Sequence, residues 1–175
     1  MFMQYFGQIS KMVSSLEEPI KYQLPIGKTL VNINDLLGVK IHIEYDGEIK
    51  CIACNKKIYK TYMQGYCYPC FISLPQTDDC VFKPHLCKAH KGEARDMKWA
   101  EKHCLAKTYV YLSLTSNIKV GVTRHSHIPS RWVDQGAHYA MKLAATPNRY
   151  LAGMIEIELS KHISDRTKWR QMIQG

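Results

Sequence analysis

Alternation of apolar and polar positions becomes regular at VKIHIEYDGEIKC, where Val39, Ile41, Ile43 and Tyr45 fall on one side of an extended chain and Lys40, His42 and Glu44 on the other. A period of two predicts a strand, and Asp46-Gly47 is a two-residue hairpin signal, so a small β unit is expected to lead directly into the cysteines that follow. Upstream, residues 1–30 carry no sustained period, and SSLEEPIKYQLPIGK reads as irregular or extended around Pro19 and Pro25. Downstream, TYVYLSL (108–114) and IKVGVT (118–123) read as two strands joined by a tight turn at Ser116-Asn117. Pro129 and Ser130 open a short helix through Gln135, closed by Gly136. AMKLAAT (140–146) is a third strand, Asn148 is placed to cap the helix RYLAGMIEIELSKHI, and Asp165 to cap a last one, RTKWRQMI. The order β-β-α-β-α predicts an α+β domain without repeats.

A chain of 175 residues suits one ordinary domain, or two small ones if something besides a hydrophobic core holds the smaller together. The pattern divides it into an N-terminal β segment with a cysteine-rich module over 1–106 and the α+β domain over 107–175. With 46% hydrophobic residues and only 10 Gly and 7 Pro, collagen-like, low-complexity and largely disordered chains are excluded. No apolar run approaches the ~18–20 residues of a membrane span, and MFMQYFGQISKM lacks the layout of a signal peptide. A cytoplasmic protein without a membrane partner is expected.

Charge changes this picture by its position. The formal total is +9, but residues 80–150 hold 12 basic and 4 acidic side chains, net +8. A solvated face explains a single basic run; concentration in one segment points instead to an anionic partner, with nucleic-acid phosphates the natural class.

All seven cysteines lie between residues 51 and 104, and an odd number without an export signal argues for metal rather than disulfides. CIAC (Cys51, Cys54) and CYPC (Cys67, Cys70) are two short turns, each aiming two sulfurs at one point. Four soft ligands in a closed tetrahedron are what a structural zinc takes, with a redox pair or buried free thiols as alternatives. The intervening NKKIYKTYMQGY has the composition of a short hairpin, and Asn55 sits where a knuckle needs a left-handed residue. The second group is looser: Cys80, Cys87 and Cys104, with His85, His90 and His103 interspersed. His90 is the best fourth ligand, because LCKAH brings it and Cys87 onto one turn; buried thiols and surface histidines are the plain alternative.

YVYL, KVGVTR, RW and a helix carrying Glu156 together resemble the GIY-YIG nuclease superfamily, in the branch whose second motif reads Lys, apolar, Gly. From about residue 40 onward, CYPCF, PHLCKAHKGEARDMKWAEKHC, KVGVTR, RWVDQGA, TPNRYLAG and DRTKW look like a bacterial family described only as a domain of unknown function. That resemblance implies a further Cys in many relatives where this chain has Ala94, which weakens the second metal site or shifts it onto His90 or His103. It also implies a family that continues past Gly175, so a C-terminal truncation is expected. The superfamily resemblance implies a GIY-YIG-like β-β-α-β-α domain. Within it, Tyr111 matches the Tyr of the first motif and Gly121 the Gly of the second. Lys119 stands where most members have a second Tyr, Arg131 matches the helix Arg, and Arg124 is a second cation. Glu156 is the carboxylate for Mg or Mn, with Glu158 the alternative.

Phosphodiester hydrolysis needs a base to orient water, a cation for the equatorial oxygens and a metal-bound carboxylate. Tyr111, Lys119, Arg131 and Glu156 are therefore the candidate catalytic set. Lys98, Lys102, Arg124, Arg131 and Arg149 are the candidate phosphate contacts. A packed tyrosine, a cation–π arginine beside Trp132 and a solvent-facing glutamate are the plain readings of the same residues. The sequence supports a zinc-containing nucleic-acid-binding protein first, an active metal-dependent endonuclease second and a protein-interaction module third.

Overall fold

A computed structural model describes residues 3–166 and 168–172. It is a mixed α+β protein built from three small antiparallel sheets and several short helices. The expected ends of the chain, including Gly175 and Thr167 of the closing motif, lie outside the described residues.

The first sheet bears out the extended alternative for the N-terminus and adds the pairing that the sequence did not show. Strands β1 (Val13–Ser15), β2 (Lys21–Ile26) and β3 (Thr29–Asn32) pair in the order β1-β2-β3. Gly27, at φ +59, supplies the left-handed residue that turns β2 into β3. Pro25 lies in the middle strand and has no N–H to donate, but its carbonyl accepts from the Ser10 amide at 3.1 Å. Pro25 therefore sits inside a strand, while Pro19 lies in the connection between β1 and β2.

A correction applies to residues 39–48. No strand forms there, and Val39, Ile41, Ile43 and Tyr45 are all exposed, because no neighbouring strand receives either edge. The turn signal acts locally: Gly47 has φ +82, and Asp46 Oδ1 accepts from the Glu48 amide at 2.8 Å. Pairing begins only at β4 (Ile49–Lys50), against β5 (Lys57–Ile58). Beyond it come helices α1 (Tyr68–Ser73), α2 (Asp79–Phe82) and α3 (Met97–His103), the last two capped by Asp78 and Asp96 side chains.

The third sheet contains the three strands expected after the cysteines. Strands β6 (Thr108–Leu114), β7 (Ile118–Arg124) and β8 (Tyr139–Thr146) pair in the order β7-β6-β8, with helix α4 (Ser130–Val133) between the second and third in sequence. Helix α5 (Arg149–Leu159) is capped by Asn148 Oδ1, which accepts from the Leu151 amide at 2.9 Å. Val110, Val120 and Ala152, all fully buried, join this helix to the sheet. Its other side rests on the turn 84–86, where a Cβ on Gly153 would lie 2.5 Å from the Pro84 carbonyl carbon. The cysteine-rich segment and the C-terminal sheet thus share α5, although the pattern of the sequence separates them at residue 106. Helix α6 (Trp169–Met172) follows. Among the described residues, no helix is long and apolar enough to cross a membrane.

Candidate functional site

Two groups of cysteines gather their sulfurs. In the first, the Sγ atoms of Cys51, Cys54, Cys67 and Cys70 all lie within 4.8 Å of one another. The knuckle follows from backbone geometry. Asn55, at φ +58, turns the chain so that the Lys56 carbonyl accepts from the Cys51 amide at 2.9 Å, and the Cys67 amide donates to Cys51 Sγ at 3.2 Å. Burial opposes ionisation of Cys51, yet the amides of Cys67, Cys54 and Ala53 bring its thiol down to about 6. The Cys67 sulfur, with burial, pushes Cys70 up to about 12. Four thiols this close cannot all ionise without a cation among them. A zinc with sulfurs at ~2.3 Å has tetrahedral edges of about 3.8 Å. Cys54 and Cys67 Sγ are 3.8 Å apart, so the donor set fits that ion.

The second group contains Cys80, Cys87 and Cys104, all buried, with sulfurs again mutually within 4.8 Å and the Cys80–Cys104 pair at 4.0 Å. The neighbouring sulfurs drive Cys80 up and Cys87 down, the same conflict that a cation relieves. His90 does not join them, which corrects the expected ligand set. Its exposed ring stacks on Tyr150 at 4.3 Å, and stacking on that ring, not the one-turn spacing from Cys87, sets its direction. His103 is also committed elsewhere, stacked on Trp99 at 4.0 Å with Nδ1 2.7 Å from the Trp99 carbonyl. Ala94 lines the same cavity as the three cysteines.

The C-terminal unit brings its four predicted residues together electrostatically. Tyr111, 1% exposed at the centre of β6, is paired in register with Gly121 of β7, where a Cβ would lie 2.6 Å from the phenol oxygen. Only glycine lets the ring lie across the neighbouring strand. The Tyr111 hydroxyl donates to Gln135 Oε1 at 2.8 Å, and its ring meets Trp132 edge-on. Burial raises the phenol's pKa while Arg131 lowers it, and Glu156 is close enough to raise it further. Lys119 is buried, and burial followed by Arg131 lowers its pKa. Glu156 is pushed up to about 7, first by burial and then by Asp165, with Arg131, Arg149 and the Val122 amide acting the other way. Glu158 instead faces solvent and pairs with Lys161 at 2.6 Å. Gln135 and Asp165 are members of this cluster that sequence reasoning missed. Both lie in motifs of the family resemblance, Gln135 in RWVDQGA and Asp165 in DRTKW, but those motifs gave neither a place in the site.

Lys98 and Lys102 are exposed on α3, and Arg131 is exposed on α4. Arg124 is half-buried, 2.6 Å from His127 Nε2. Arg149 has a different employment from the expected phosphate contact: Nη1 donates to the Cys80 and Val81 carbonyls at 3.3 and 3.4 Å, fastening the start of α5 to the second cysteine group. Its helical position places it beside those carbonyls, which outcompete a surface role.

A family model described as protein of unknown function (DUF2797) matches residues 38–175, and the chain belongs to that family. No curated protein and no solved structure matches the chain.

Proposed function

From membership of that family as the premise, we propose that the chain is a zinc-containing nucleic-acid-binding protein whose C-terminal unit, GIY-YIG-like in its β-β-α-β-α arrangement, cleaves phosphodiester bonds. The observation that carries the reading is that Tyr111, Lys119 and Glu156, from one sheet and helix α5, each feel the charge of Arg131 on helix α4. The strand order β7-β6-β8, with Tyr111 facing Gly121, supports it. Arg131 is placed to stabilise the oxygens that gain charge as the ester breaks. Lys119, its ammonium disfavoured by burial and by Arg131, stands where the superfamily has a second tyrosine and offers a second cation for the phosphate oxygens. Tyr111, held by Gln135, orients the attacking water. Glu156, with Asp165 beside it, offers the hard oxygens that fit Mg or Mn, and such an ion, when bound, supplies Lewis-acid stabilisation of the phosphate. Lys98, Lys102 and Arg124 provide backbone contacts, while the first zinc is assigned a folding role.

Incubation of the purified chain with single- and double-stranded DNA and RNA, with and without Mg or Mn, tests this. Cation-dependent cleavage is expected, reduced by about 10²-fold or more in Arg131→Ala and Glu156→Gln with the fold intact. Cleavage that survives both substitutions sinks the catalytic assignment. Binding without cleavage is the second reading. It draws on the Glu156 carboxyl, which at about 7 is half protonated in neutral solution and so a poor cation ligand. Retained affinity with no cleavage at any pH up to 9 selects it.

A further inference from the structure

The second cysteine group differs from the first in being incomplete as a protein ligand set. Among the described residues, which include every Cys, His, Asp and Glu of the chain, only Cys80, Cys87 and Cys104 bring ligand atoms mutually within 4.8 Å there. His90 and His103 are stacked on Tyr150 and Trp99. Of the carboxylates on the same cavity wall, Asp78 accepts from the Cys80 amide and pairs with Arg95 at 3.4 Å, Glu93 pairs with Lys88 at 3.7 Å, and Asp79 is not among the ligand atoms gathered with the three sulfurs. At the same place the fold leaves a cavity of about 430 Å³, and all three cysteines form part of its wall, together with Ala94, Ala100 and Trp99. By contrast, the four-sulfur group is closed by its own chain.

We propose that Cys80, Cys87 and Cys104 form a three-thiolate zinc site whose fourth coordination position opens onto this cavity and is taken by an external thiol. Three thiolates over-neutralise a divalent zinc, which makes it a poor activator of water and favours a soft fourth ligand. The wall sets apolar Ala94, Ala100 and Trp99 beside charged Asp79, Lys88 and Arg95, which suits a small thiol with a carbon skeleton and polar groups of its own. Binding is a ligand exchange: the zinc–oxygen bond to water breaks, a zinc–sulfur bond forms, and the thiol proton passes to solvent. No oxidation takes place. The cavity of about 430 Å³ has room for a ligand of several non-hydrogen atoms, so this is a binding site and not only a staple of the fold.

The test uses the full chain, stripped of small thiols and loaded with Co²⁺ in place of zinc, with 2-mercaptoethanol as the probe. Two cobalt ions per chain are expected. Titration should shift the visible d–d bands of one site and raise the thiolate-to-cobalt absorption by one ligand's worth, leaving the four-sulfur site unchanged. Zinc X-ray absorption on the unmodified protein provides the second readout, with an average of about 3.5 sulfurs per zinc rising to about 4 at saturating thiol. Cys87→Ser should abolish the thiol response while keeping the spectrum of the four-sulfur site. A single cobalt per chain, or two whose spectra ignore the thiol, overturns the proposal. An average of 4 sulfurs before thiol is added overturns it too. None of these outcomes bears on nucleic-acid cleavage, so this proposal and the one above fail independently.

Discussion

At the scale of single residues, the centre of the C-terminal unit is held by one missing side chain and one misplaced charge. Gly121 has an ordinary strand conformation, so its role is space: the Tyr111 ring occupies the volume where a Cβ would be. Gly121→Ala is expected to displace that buried ring, cost ~1–3 kcal/mol in urea unfolding and break the Tyr111–Gln135 hydrogen bond. A wild-type midpoint would remove the space argument. Glu156 is the misplaced charge, its carboxyl raised from 4.5 to about 7 chiefly by burial. Below pH 4.5 it is protonated whether the chain is folded or not, and costs nothing. Between 4.5 and 7 the unfolded chain releases the proton more readily, so stability falls as pH rises, and above 7 the full cost applies. Glu156→Gln, measured without added divalent cation, should therefore raise the melting temperature at pH 8 and leave it almost unchanged at pH 4. The gain is on the order of 2 kcal/mol once solvent screening is allowed for. Equal effects at both pH values would contradict the burial argument.

At the scale of elements, helix α5 decides how the molecule is joined. Gly153 is buried against the turn 84–86, and an added methyl meets backbone there, which cannot move aside as a side-chain tip can. Helix propensity alone would make Gly153→Ala stabilising by about 1 kcal/mol. The expected result has the opposite sign, a loss of ~2 kcal/mol or more in thermal or urea unfolding, together with weaker metal retention by Cys80, Cys87 and Cys104, because Arg149 one turn earlier would lose its carbonyl partners. That coupling was not legible in the sequence. Strands β6, β7 and β8 were, because seven- or eight-residue runs rich in β-branched and apolar residues, bounded by turn residues, need no knowledge of partners. Alternation misled at Val39 to Tyr45, where nothing covers the apolar side. β1 and β3 are too short for a period, and Pro25 within β2 reads as a break. The four-sulfur group was legible because its geometry lies within two turns and one knuckle. The fate of His90 was not, because it depends on Tyr150, 60 residues away, and spacing carries no information about such contacts.

At the scale of the whole molecule, the excess charge and the second cysteine group overlap. Residues 80–150 carry net +8, and within them lie Cys80, Cys87 and Cys104. Zinc on three thiolates contributes a formal −1 there, and on the four of the first group −2, so the metal-loaded chain is less basic than its sequence. Arg149 and Lys119 are turned inward, which removes two more cations from the surface available to an anion. The exposed remainder includes Lys98 and Lys102 on α3, Arg131 on α4 and Lys142 on β8. A phosphate backbone lying against these residues would make affinity fall steeply with salt, by close to one unit of log–log slope for each duplex phosphate neutralised. Lys98→Glu with Lys102→Glu should therefore weaken binding of unrelated sequences alike and flatten the salt slope by about 2, whereas Arg149→Lys should change stability and leave that slope as it was. Fluorescence anisotropy with two unrelated oligonucleotides over a range of potassium chloride reads both quantities. A salt slope near zero, or one that Lys98→Glu and Lys102→Glu leave intact, would contradict phosphate contact by these residues.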